Sequence, residues 1–68
     1  MTLPDERTRA VANTRDFLFN LLDPRMTPRV PREVREQASR CLRHYPGTYD
    51  LIQASNRAPE IWGKPDAH

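Results

Sequence analysis

At 68 residues and 7.9 kDa the chain has room for one small domain and no more. Leu, Ile, Val and Phe together number thirteen and the formal net charge is +2, the balance of a small folded domain with a thin core rather than of a disordered chain. No run approaches the ~20 apolar residues of a membrane span, and the charged, proline-bearing start from Met1 to Arg7 lacks the apolar centre of a signal peptide, so the sequence reads as cytoplasmic.

The first predicted helix opens at Thr2, a good N-cap, with Asp5 three residues on to complete a short capping box. Pro4 is tolerated in the first turn, where its missing N–H has no helical partner to lose. Asp5 and Glu6 suit the positive end of the helix dipole. Ala10, Val11, Thr14, Phe17, Leu18, Leu21 and Leu22 recur at helical spacing. They span an arc of roughly 140°, wide enough for a core-facing stripe. Phe19 departs from it by about a quarter turn. Asp23-Pro24 ends the helix.

Residues 23–31 hold Pro24, Pro28 and Pro31 with Arg25 and Arg29, which predicts a stiff, extended connector. Pro31 or Pro28 opens the second helix at its first position. Its apolar stripe is Val34, Ala38, Cys41, Leu42 and Tyr45, and Pro46-Gly47 stops it. Thr48 caps a short third helix with Asp50 in its first turn. Leu51, Ile52, Ala54 and Ser55 face inward there, and Asn56 marks its end. Ala58 to Gly63 forms a final turn or short helix, and Lys64 to His68 fray. No segment shows strand-like alternation. The expected fold is all-α: a small helical hairpin with a short third helix and an anchored C-terminal tail, one domain over residues 1–63.

Several segments resemble a family of short proteobacterial proteins of unknown function, common in pseudomonads and burkholderias. They are Pro4-Asp5-Glu6-Arg7-Thr8-Arg9-Ala10-Val11, Thr14-Arg15-Asp16-Phe17-Leu18, the connector Leu22-Asp23-Pro24 with Thr27-Pro28-Arg29-Val30-Pro31, Leu42-Arg43-His44-Tyr45-Pro46, and Ala58-Pro59-Glu60-Ile61-Trp62-Gly63. The last departs from the family in carrying Trp62 where relatives have Phe. Cys41 also departs, standing where an aliphatic residue is expected. The resemblance covers nearly the whole chain. It implies a stand-alone bacterial protein, brings no activity with it, and argues against a family-wide role for the thiol.

Catalytic chemistry finds little footing. Cys41 and His44 are neighbours on one helix face, but the stripe places Cys41 in the apolar interior, where a thiol is neutral and inert. No third group orients His44. Asp5, Glu6 and Asp16 read as surface charges, with Arg9 pairing to Asp5 and Glu6 at helical spacing. Two histidines and one cysteine fall short of a four-ligand zinc site unless carboxylates join, and Gly47 and Gly63 make no phosphate-cradling loop. The reading is a non-enzyme with no cofactor.

Arginine is the sharper feature. Ten of the eleven cations are arginine, and residues 25–45 carry six of them against Glu33 and Glu36. Arg32, Arg35 and Arg43 share a sector of about 80° on a helical wheel, and Arg25 and Arg29 enter from the connector. Glu36, four residues from Arg32 and from Arg40, pairs part of this charge internally. Two readings stand: a solvated face, or a face that grips an acidic protein surface or phosphates. Trp62 likewise serves either as an interface anchor or as a fold-back anchor in a domain short of core. The candidate partner-binding residues are therefore Arg25, Arg29, Arg32, Arg35, Arg43 and Trp62. The expected function is regulatory or adaptor work through another protein; the alternative is a nucleic-acid-binding accessory protein. Small size also favours a homodimer burying Phe19 or part of the first stripe.

Overall fold

Pro4 begins the first helix at the position where proline costs nothing, and Asp23-Pro24 closes it. The result is α1 (Pro4–Leu22), followed by α2 (Arg32–Leu42) and α3 (Thr48–Arg57). These elements come from a computed structural model, which describes residues 2–65. Among the described residues all regular structure is helical, so the fold is all-α. No helix among them is long and apolar enough to cross a membrane.

The caps differ from expectation by one residue each. Glu6, not Asp5, reaches back at the start of α1: its Oε1 accepts from the Leu3 N–H at 2.9 Å. Thr2 instead accepts from Arg7, through Oγ1 at 3.3 Å and through its carbonyl at 3.1 Å. Pro31 lies just outside α2, in extended backbone at φ −60° and ψ 151°. Gly47 precedes α3, and Asp50 Oδ2 accepts from its N–H at 3.0 Å. That carboxylate makes the back-reaching half of a capping box, and Gly47, not Thr48, occupies the N-cap position without a capping side chain. α3 runs one residue past Asn56, to Arg57.

The chain divides into two compact units: Met1–Asn13 with Pro46–His68, and Thr14–Tyr45. The first holds the opening turns of α1, all of α3 and the tail. Its buried residues are Thr8, Leu51, Ser55 and Gly63. The segment after α3 turns through bonds from Ile61 and Trp62 N–H to the Ala58 carbonyl. It then crosses the start of α1, where the Gly63 N–H donates to the Pro4 carbonyl at 3.1 Å. This bears out an anchored tail. Of the five terminal residues expected to fray, Lys64 and Pro65 are described, and Asp66, Ala67 and His68 lie outside the described residues.

The second unit holds the last turns of α1, the connector and α2. The connector is wound, not extended: Met26 and Thr27 N–H both donate to the Asp23 carbonyl at 3.0 Å. Thr27 Oγ1 adds a bond to the Asn20 carbonyl at 2.8 Å. Three prolines fix φ but leave ψ free to turn, and Thr27 and Asp23 supply the turn bonds. Ala38 is the one buried side chain of α2.

Both stripes are rotated from the expected phase. On α1 the less exposed positions include Pro4, Thr8, Val11, Arg15, Leu18 and Leu22, while Ala10, Thr14 and Phe17 are exposed. The inner face is turned by roughly 60° from the expected one. On α2, Arg35, Ala38 and Leu42 are the inner positions, and Val34 and Cys41 are exposed. On α3, Leu51 and Ser55 are buried as expected, whereas Ile52 is exposed.

Candidate functional site

The five candidate arginines all lie in the second unit and Trp62 in the first. The structure sorts the arginines into three kinds. Arg35 is structural. Its guanidinium donates to the Leu21 carbonyl at 2.6 Å, to the Thr27 carbonyl at 2.5 Å and to Thr27 Oγ1 at 3.2 Å. The planar fork spans two separate carbonyls, a geometry lysine lacks. It ties α2 to the end of α1 and to the connector, and so leaves the candidate binding face.

Arg25 and Arg32 are exposed but paired. Arg25 Nε lies 3.4 Å from Asp23 Oδ1, with its side chain 91% exposed. Arg32 Nε lies 3.2 Å from Glu36 Oε1, four residues on, with its side chain 89% exposed. Pairs this open contribute about 0.3–0.5 kcal/mol and exchange partners readily. Arg29 and Arg43 are exposed. Four of the five candidate arginines thus remain on the surface.

Sequence periodicity misses exposed apolar side chains in the same unit. Phe17 is 59% exposed and Met26 61% exposed, with Phe19 also in the exposed class. The α1 stripe predicts Phe17 facing inward, and the structure corrects this. The Arg15 guanidinium sits over the Phe19 ring, 4.7 Å from its centroid, a cation–π contact that holds this aromatic on the surface. The missed signal is the run Pro4, Thr8, Val11, Arg15, Leu18 and Leu22, a spacing of three and four that phases α1 once a threonine and an arginine are admitted to its inner face.

Cys41 is exposed, a correction to the buried thiol expected from the α2 stripe. Solvent on Val34 and Cys41 follows from Arg35: with its guanidinium fixed to Leu21 and Thr27 carbonyls, α2 presents its 35–38–42 edge inward. Trp62 is half-buried in the first unit, while Ile61 and Tyr49 are exposed there. Among the described residues no group of three His, Cys, Asp or Glu side chains is arranged to hold a metal ion.

The first unit holds contacts that no local pattern announces. Thr8 Oγ1 donates to the Gly63 carbonyl at 2.7 Å, and Arg7 Nη1 donates to the Ile61 carbonyl at 2.5 Å. A Cβ on Gly63 would collide with Asp5 Oδ1 and lie 2.8 Å from Asp5 Cα and N. Its φ is not positive, so glycine is required there for the close approach and not for backbone freedom. No family model, curated protein or solved structure matches the chain.

Proposed function

We propose that the chain is a non-enzymatic, cytoplasmic adaptor or regulatory protein that binds another protein through the exposed apolar side chains of its second unit. Phe17, Phe19 and Met26 supply the contact, and Arg25, Arg29, Arg32 and Arg43 form a charged rim. The supporting observation is that in this unit Ala38 is the one buried hydrophobic residue described, whereas the larger Phe17, Phe19 and Met26 are exposed. Large exposed aromatics and arginine are both favoured at protein interfaces.

The nucleic-acid reading keeps Arg25, Arg29, Arg32 and Arg43 but loses Arg35 to Leu21 and Thr27. Asp23 and Glu36 offset two of those that remain. Phosphate binding needs uncompensated cations along a face, so the apolar surface carries the argument further. The test compares two pairs of substitutions in a titration against the captured partner. Phe17→Ser with Met26→Ser is expected to weaken binding at least tenfold. Tyr49→Ser with Ile52→Ser, on the other unit, is expected to leave it within twofold. Equal loss from both pairs, or from neither, contradicts the assignment.

A further inference from the structure

α2 has an outer edge that the adaptor reading does not use. Val34 and Cys41, seven residues apart, lie on one exposed line with Gln37 beside them. Glu33 and Arg40, also seven apart, flank this line on its solvent side and are exposed. Among the described residues neither the Glu33 carboxylate nor the Arg40 guanidinium has an ion-pair partner, in contrast to Arg32 and Glu36. Acid therefore sits toward the N-terminal end of the edge and base toward its C-terminal end.

Such an edge is its own complement. Two antiparallel copies related by a two-fold axis place Glu33 of each against Arg40 of the other, twice over. Val34 then meets Gln37 of the second copy. This is the self-complementarity of an isologous interface, with the seven-residue repeat of a short helix-pair seam and charges flanking it. A parallel arrangement instead aligns Glu33 with Glu33 and Arg40 with Arg40, which repels.

We propose that the outer edge of α2 is a homodimer interface, closed by antiparallel pairing with a second copy of this chain and distinct from the surface assigned to the adaptor partner.

The test is sedimentation velocity on the full chain and two charge reversals. The wild type is expected to dimerise, more tightly at low salt than at high salt. Glu33→Arg sets arginine against arginine at both contacts, and Arg40→Glu sets glutamate against glutamate. Each alone is expected to raise the dimer dissociation constant about tenfold. An equimolar mixture of the two variants restores both contacts in a heterodimer. The introduced arginine of one variant then faces the introduced glutamate of the other, and the native Arg40 of the first faces the native Glu33 of the second. The mixture is expected to sediment as the wild type does. Rescue by mixing separates this from a folding defect, which mixing leaves unchanged. Alkylation of Cys41 by iodoacetamide is expected to slow as wild-type concentration rises through the dissociation constant. A wild type that stays monomeric at low salt overturns the proposal. So do single reversals that dimerise as the wild type does, or a mixture that stays monomeric.

Discussion

Thr8 and Gly63 stand 55 residues apart and are joined by a 2.7 Å hydrogen bond from the threonine hydroxyl to the glycine carbonyl. Thr8 is the most buried side chain described, at 2% exposure. A polar group holds that place because the tail backbone, not an apolar side chain, covers the first turns of α1. The Gly63 N–H bonds to Pro4 and its carbonyl to Thr8, so both polar groups of this buried residue are satisfied, as burial demands. Arg7 holds the Ile61 carbonyl beside them.

Thr8→Val keeps the shape and removes the donor. The Gly63 carbonyl is then buried without its partner, at a cost of about 1–2 kcal/mol. For a domain of this size each kcal/mol lowers Tm by about 4–8 °C. Thermal unfolding followed by circular dichroism reads the drop, and an unchanged Tm contradicts the anchoring of the tail by this bond.

Gly63→Ala tests the close approach itself. The added methyl meets the Asp5 backbone, and the tail must lift or the helix start must shift, at about 1–3 kcal/mol. Gly47→Ala is the matched control, because a Cβ there has open space within 4 Å. Its effect is expected to stay within about 0.5 kcal/mol. Denaturant midpoints for the two variants should therefore separate clearly.

Arg35 is assigned to the fold, not to a partner. Arg35→Met keeps the stem and loses all three bonds to Leu21 and Thr27, an expected loss of about 1.5–3 kcal/mol. Arg35→Lys recovers only part of it, since one ammonium does not span both carbonyls. Arg43→Ala, at an exposed position, is expected to change stability by no more than about 0.5 kcal/mol. Urea unfolding of the three variants checks the order.

The protein-binding reading also makes a negative prediction. Labelled duplex and single-stranded DNA, titrated by fluorescence anisotropy, should show no binding tighter than ~10⁻⁶ M at physiological salt. Tight binding that weakens steeply with salt and is lost when Arg25, Arg29, Arg32 and Arg43 become alanine would move the function to the nucleic-acid alternative.

The helices are legible in the sequence because their punctuation is local. Pro4, Asp23-Pro24, Pro31 and Pro46-Gly47 punctuate three helical runs, and the boundaries fall within about two residues of where the sequence places them except the end of α2, which stops at Leu42, three residues before the expected Tyr45. The phases of α1 and α2 are not legible from apolar residues alone. Thr8 faces inward because Gly63, distant in sequence, brings a carbonyl to it. Arg35 faces inward because the wound connector offers the Thr27 carbonyl. Each polar residue takes a place that periodicity reserves for an apolar one, so the stripe read from apolar residues slides and carries Phe17, Val34 and Cys41 inward with it. For the same reason the arginine cluster is legible as composition, while its division into a fold-holding Arg35, the paired Arg25 and Arg32, and the exposed Arg29 and Arg43 depends on contacts made after folding.

The most direct test of the adaptor account is photo-crosslinking in the native cell, with a benzophenone amino acid replacing Phe17 in one strain and Tyr49 in another. The account predicts a discrete adduct with one different protein from position 17, none from position 49, and loss of that adduct when Met26 is also changed to Ser. Adducts confined to a second copy of this chain, or equal capture from both positions, would contradict it.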